Sequence, residues 1–146
     1  MTGWRIGMLI TPPGLAKPIN RYIGHSIYCV PPFVQAAAIE AFKLVDEIVP
    51  TIRETFRKRI ALAAPRLDRL EGVSCPASRA TFYLFPKLAR DDKEVAKRWL
   101  DEGQVAVLPG SAFGEGGRNY LRVSLACPDD ELDEALSRIE QLGIGT

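Results

Sequence analysis

The 146-residue chain has a single histidine, three cysteines and two methionines, and no excess of either charge, with nineteen Lys+Arg against eighteen Asp+Glu. Each shortage removes a class of function. A formal net charge of +1 provides no global field to attract nucleic acid or an anionic membrane. Cys29, Cys75 and Cys127 are odd in number and far apart in sequence, so they form neither a metal-ligand cluster nor an even disulfide framework. All three are expected to be reduced packing residues. His25 is the only imidazole, and with no nucleophile-elbow glycine pattern beside it a Ser-His-Asp triad is not expected. No run approaches the roughly 20 apolar residues of a membrane helix. The opening Met1-Thr2-Gly3-Trp4-Arg5 lacks the basic and apolar regions of a signal peptide, so the expected location is cytoplasmic, with no membrane partner.

What is present is the profile of one soluble globular domain, 47% hydrophobic and 25% charged, which excludes disordered, collagenous and coiled-coil classes. Trp4 to Ile10 is a short apolar run ended by Thr11-Pro12-Pro13-Gly14, a strand followed by a turn. It is apolar on both faces, like a strand inside a covered parallel sheet, yet no similar strand flanks it. Leu15 to Tyr28 is weakly helical. After Pro31-Pro32, the residues Val34, Ala37, Ala38, Ala41, Phe42, Val45 and Ile48 make the stripe of a helix with one buried face. Pro50 is expected to break or bend it, and a second stripe (Ile52, Phe56, Ile60, Ala63, Leu67, Leu70) continues in phase to Gly72. Arg53, Arg57, Lys58, Arg59, Arg66 and Arg69 outnumber the acids there. With no aromatic residue interleaved on the polar face they read as a solvated helix surface, and nucleic acid is not expected as a partner.

Beyond Gly72 the order is β-α-β-β-α. Ala80 to Phe85 is β-rich and closed by Pro86; Asp91 or Asp92 caps a helix ending at Gly103; Val105 to Leu108 is a short strand. A glycine-rich loop, Pro109 to Arg118, leads into the strand Tyr120 to Ala126, and Pro128-Asp129-Asp130-Glu131 starts a last helix that ends before Gly143. The expected fold class is α+β, a three-stranded sheet packed by helices and preceded by one orphan strand and a long helix.

Two arginines stand where a strand would carry an apolar residue. Arg122 alternates with Leu121 and Val123, so its guanidinium lies on the polar face beside Tyr120 and Ser124, and suits bidentate capture of a carboxylate or phosphate. An ion pair with a helix acid such as Glu131 or Asp133 is the equally weighted alternative. Arg5, between Trp4 and Ile6, raises the same question and by itself reads as structural. The glycine-rich loop fails as a phosphate cradle, because no Gly-Lys-Ser/Thr follows and it leads into a strand rather than a helix N-terminus. A close-approach turn beside a ligand site and a plain strand connection both remain open.

Five collinear segments together resemble one family, the pyridoxal-phosphate-dependent aminotransferases of class I and II, in their aspartate aminotransferase-like subgroup. They are Met1 to Gly7, similar to the tail of the cofactor-lysine motif; Pro31 to Ala38, which opens the interdomain helix; Ala80 to Pro86, with Ala80 and Thr81 as departures; Val107 to Gly114; and Tyr120 to Ala126. The resemblance implies that residues 1–30 are a remnant of the large cofactor-binding domain and 31–146 the C-terminal small domain with the long interdomain helix. It implies that Arg5 pairs with the phosphate of pyridoxal 5'-phosphate and Arg122 grips the α-carboxylate of an amino-acid or 2-oxo-acid substrate. Phe113, Tyr120, Ser124 and the Gly110 loop would line the substrate side, and a homodimer is the family's assembly. The Schiff-base lysine of the motif falls four residues before the position of Met1, and Lys17, Lys43, Lys58, Lys87, Lys93 and Lys97 all lie outside it. The expectation is therefore the C-terminal segment of an aminotransferase, inactive alone: a truncated product, a mis-called start at an internal methionine, or one half of a split enzyme whose partner is an upstream half carrying the lysine. The alternative is a stand-alone carboxylate-binding or interaction domain without catalysis.

Overall fold

The computed structural model describes residues 2–145. The chain forms two compact units, divided between Pro50 and Thr51.

The first unit holds a 3-10 turn at Thr2–Trp4, helix α1 (Pro13–Ser26), helix α2 (Pro32–Lys43) and the start of helix α3 (Val45–Asp68). The orphan strand expected over 4–10 is not formed, and residues 5–10 have no regular secondary structure. An apolar run specifies burial, but a strand exists only where a second strand takes up its backbone N–H and C=O groups, and among the described residues no strand pairs with this run. The helical reading of 15–28 corresponds to α1. The break expected at Pro50 falls instead at Leu44 (φ −99°, ψ 7°), whose amide bonds to the Ala41 carbonyl, and Pro50 lies inside α3. The carbonyl that the Pro50 ring crowds, four residues back at Asp46, belongs to the first turn of α3, where the ladder is least constrained. Of the expected α2 stripe only Val34 is buried, whereas Phe42 is 59% exposed, as is Ile39 beside the stripe.

The second unit contains the core cluster, from Ile60 on α3 to Ile144. Its three-stranded antiparallel sheet has the order β2-β5-β4, from Tyr83–Leu84, Leu121–Ser124 and Leu108–Pro109. The β2–β5 pairing is prolonged by the Leu125 amide to the Phe82 carbonyl (2.9 Å) and the Leu121 amide to that of Pro86 (3.0 Å). A second ladder, unforeseen in the sequence, pairs β1 (Val73–Ser74) with β3 (Lys87–Leu88). Helix α4 (Asp92–Asp101) is capped by Asp91, whose carboxylate accepts from the amides of Lys93 and Glu94. Helix α5 (Asp129–Leu142) has three acids in its first turn and buries Leu132, Leu136 and Ile139.

Part of the basic stripe on α3 is not simply solvated. Arg66 donates through Nε and Nη2 to both carboxylate oxygens of Glu140 (2.7 and 2.6 Å), through Nη1 to Asp133 (2.5 Å) and through Nη2 to Ser137. Arg59 donates to Asp129 and to the Leu125 carbonyl. The planar fork ties α5 to α3, and its hydrogen bonds hold the Glu140 carboxyl below its ordinary value despite partial burial. Arg66→Ala is expected to cost about 2 kcal/mol in urea unfolding at neutral pH, with Arg66→Lys only partly restoring it. Because the folded-state pKa of Glu140 is depressed, its share is complete above the unfolded value of about 4.3 and disappears as pH falls through the folded one.

All three cysteines are free, but Cys29 is exposed, against the expectation that it packs. Burial, with Asp68 nearby, pushes the Cys75 thiol up to about 11. Among the described residues no helix is long and apolar enough to cross a membrane.

Candidate functional site

Strand β5 alternates as the sequence predicts: Leu121 and Val123 are buried, and Arg122 lies half-buried on the other face. Tyr83 is opposite Ser124 in the β2–β5 register, which puts its side chain on the same face as Arg122. The Arg122 Cζ lies 4.7 Å from the centroid of the Tyr83 ring and 4.6 Å from that of Phe113. Both distances are within cation–π range. Of the two acids weighed as partners, Asp133 accepts from Arg66 instead, and no carboxylate among the described residues pairs with Arg122. The guanidinium lies against aromatic rings, and no acid among the described residues neutralises its charge.

Phe113 arrives from the glycine-rich loop, which is a close-approach turn. Gly110 to Phe113 form one 3-10 turn and Glu115 to Gly117 another, joined by Gly114 at φ +115°. The Gly110 amide donates to the Tyr120 carbonyl (2.7 Å), and the Tyr120 amide to that of Gly117 (3.1 Å). The Gly110 and Gly117 backbones touch: a Cβ on Gly117 would stand 2.1 Å from the Gly110 carbonyl oxygen.

The loop is fastened from behind by Asp92, the one buried charged residue among those described. Its two carboxylate oxygens accept separately, one from the Ser111 amide (2.8 Å) and the other from the Asn119 amide (3.3 Å). Burial opposes its ionisation, yet the hydrogen bonds from Ser111 and Asn119 prevail and keep its carboxyl below the usual value. Sequence reasoning named Asp92 only as a possible cap. The sign that was there is the doubled acid Asp91-Asp92, where one side chain suffices for the cap.

Of the other residues expected near the substrate, Tyr120 stacks on Phe85 (centroids 5.2 Å apart), and the Ser124 hydroxyl accepts a long bond from the Ala126 amide (3.4 Å). Arg5 belongs to the first unit and Arg122 to the second. Arg5 is exposed and has φ +48°, a left-handed conformation uncommon outside glycine.

Comparison with known proteins places the chain in a family. A family model described as aminotransferase class I and II matches residues 1–139. The chain is 32% identical over 146 residues to the aspartate aminotransferase of Pyrococcus horikoshii, covering 97% of this chain and 37% of that protein. It is 36% identical over 140 residues to the aspartate aminotransferase of Thermotoga maritima, covering 96% of this chain and 36% of that one. The crystal structure of an aromatic aminotransferase from Pyrococcus horikoshii OT3 superposes with a TM-score of 0.85 at 32% identity, over 97% of this chain and 39% of its own. The chain thus spans little more than a third of the length of these relatives. It belongs to the class I and II aminotransferases, a pyridoxal-phosphate-dependent family.

Proposed function

We propose that the chain is the C-terminal segment of an enzyme that moves an amino group between an amino acid and a 2-oxo acid, and that Arg122 binds the α-carboxylate. Residues 1–30 would be the remnant of the cofactor-binding domain and 31–146 the small domain. The observation that carries the reading is the Arg122 guanidinium, set against two rings on a sheet face with no acid among the described residues paired to it. A planar cation in that state offers paired N–H donors to a carboxylate at no cost of breaking an existing ion pair.

The described residues fit pyridoxal 5'-phosphate only in part. Arg5 supplies a guanidinium suited to its phosphate, but none of the six lysines stands at the motif position of the Schiff-base amine. That amine is both the covalent anchor of the cofactor and the proton-transfer group, so these residues alone are not a catalytic cofactor site. Their own contribution is to bind and orient the substrate carboxylate.

Mixing the chain with an upstream segment that carries the lysine, in the presence of pyridoxal phosphate, is expected to give the visible absorbance of bound cofactor and oxo-acid-dependent turnover; the chain alone gives neither. In the mixed enzyme Arg122→Ala raises the KM for the amino acid by roughly a hundredfold, the equivalent of about 2 to 3 kcal/mol, while cofactor absorbance is retained. Turnover by the purified chain alone, or an unchanged KM, would sink the reading. Binding of carboxylates with no gain on mixing would favour a stand-alone binding domain.

A further inference from the structure

We infer that Tyr83 and Phe113 are positioning residues for carboxylate capture: they orient the Arg122 guanidinium through cation–π contact, in place of the acidic partner that would otherwise fix it. This rests on the assignment of Arg122 to a carboxylate.

An arginine on an open sheet face has long rotatable torsions, and binding pays for whatever freedom is lost. An acid could hold it still, but an incoming carboxylate would then compete with that acid for the same N–H donors. Aromatic rings attract the cation without accepting those hydrogen bonds in any strength, so orientation and vacancy are obtained together. The two contacts are of nearly equal length, 4.7 Å to Tyr83 and 4.6 Å to Phe113, and come from separate elements. The β2–β5 register delivers Tyr83, and the loop between Gly110 and Gly117 delivers Phe113. Phe113 is 53% exposed and stands outside the core cluster, so its ring contributes little to folding. Its contact with Arg122 is what its position achieves.

The test uses the full chain labelled with 15N, with sodium propionate as probe and the Arg122 Nε–H resonance as reporter. Wild type is expected to show a ring-current shift of that resonance and a saturable response to propionate that Arg122→Gln abolishes. Phe113→Leu and Tyr83→Leu should each reduce the ring-current shift and weaken propionate binding about three- to tenfold, as loss of a contact worth roughly 0.6 to 1.4 kcal/mol requires. Phe113→Tyr and Tyr83→Phe, which keep a ring, should bind within twofold of wild type, and the melting temperature of Phe113→Leu should stay close to that of wild type. Wild-type binding with unchanged affinity in both leucine variants overturns the positioning role alone. Absence of any propionate response in wild type overturns the carboxylate assignment and the positioning role with it.

Discussion

Replacing Asp92 with alanine is expected to lower the unfolding free energy by about 2 kcal/mol at neutral pH, because two part-buried amides, those of Ser111 and Asn119, each lose their acceptor. The carboxylate reaches both the start and the end of the loop from within the first turn of α4. Asp92→Asn keeps one oxygen and should recover part of the loss. The pH dependence has a definite sign. Hydrogen bonding holds the folded-state pKa below that of an unfolded aspartate, so the stabilisation is fully present above about 3.9 and is lost as pH falls through the folded value. The gap between wild type and Asp92→Asn, followed by urea denaturation across an acid series, should therefore narrow toward low pH. A gap that widens in acid would show that Asp92 is not held as a carboxylate. The same substitution should weaken propionate binding, since Ser111 and Phe113 belong to one 3-10 turn.

The features legible in the sequence are those that one element specifies for itself. The Asp91 cap, the acidic first turn of α5 and the apolar stripe from Ile60 to Leu67 each rest on spacings within a single helix. The alternation around Arg122 likewise follows from period two. What was missed depends on a second segment. Trp4 to Ile10 has the composition of a buried strand but no strand among the described residues to pair with. The β1–β3 ladder pairs two residues with two, too short for alternation to register. Arg66 and Glu140 meet across more than seventy residues, so the basic surplus on α3 could not be read as a tie between helices. The Arg122 site shows both cases: strand and face were legible, while its choice of two rings over Glu131 or Asp133 was decided by the fold.

A graded series of alanine substitutions in the glycine-rich loop should separate close backbone approach from backbone conformation. At Gly117 a Cβ would lie 2.1 Å from the Gly110 carbonyl oxygen and 2.6 Å from its carbon, both backbone atoms that cannot rotate away. The two strands of the loop must part, straining the Gly110–Tyr120 hydrogen bond, and the expected loss is about 3 kcal/mol, at the upper end for overpacking. Gly110→Ala, whose Cβ meets the Gly117 oxygen at 2.3 Å, should behave similarly. At Gly114 the added carbon meets nothing within 4 Å, and only the φ of +115° opposes it, so a smaller loss of about 1 to 2 kcal/mol is expected. Gly116 has neither obstacle, and its alanine variant should unfold within about 0.5 kcal/mol of wild type. Propionate affinity should fall for Gly117→Ala and Gly110→Ala, which displace the segment bearing Phe113, and hold for Gly116→Ala. An order of stability in which Gly116→Ala is the most damaging would mean that the loop is not closed by the Gly110–Gly117 contact.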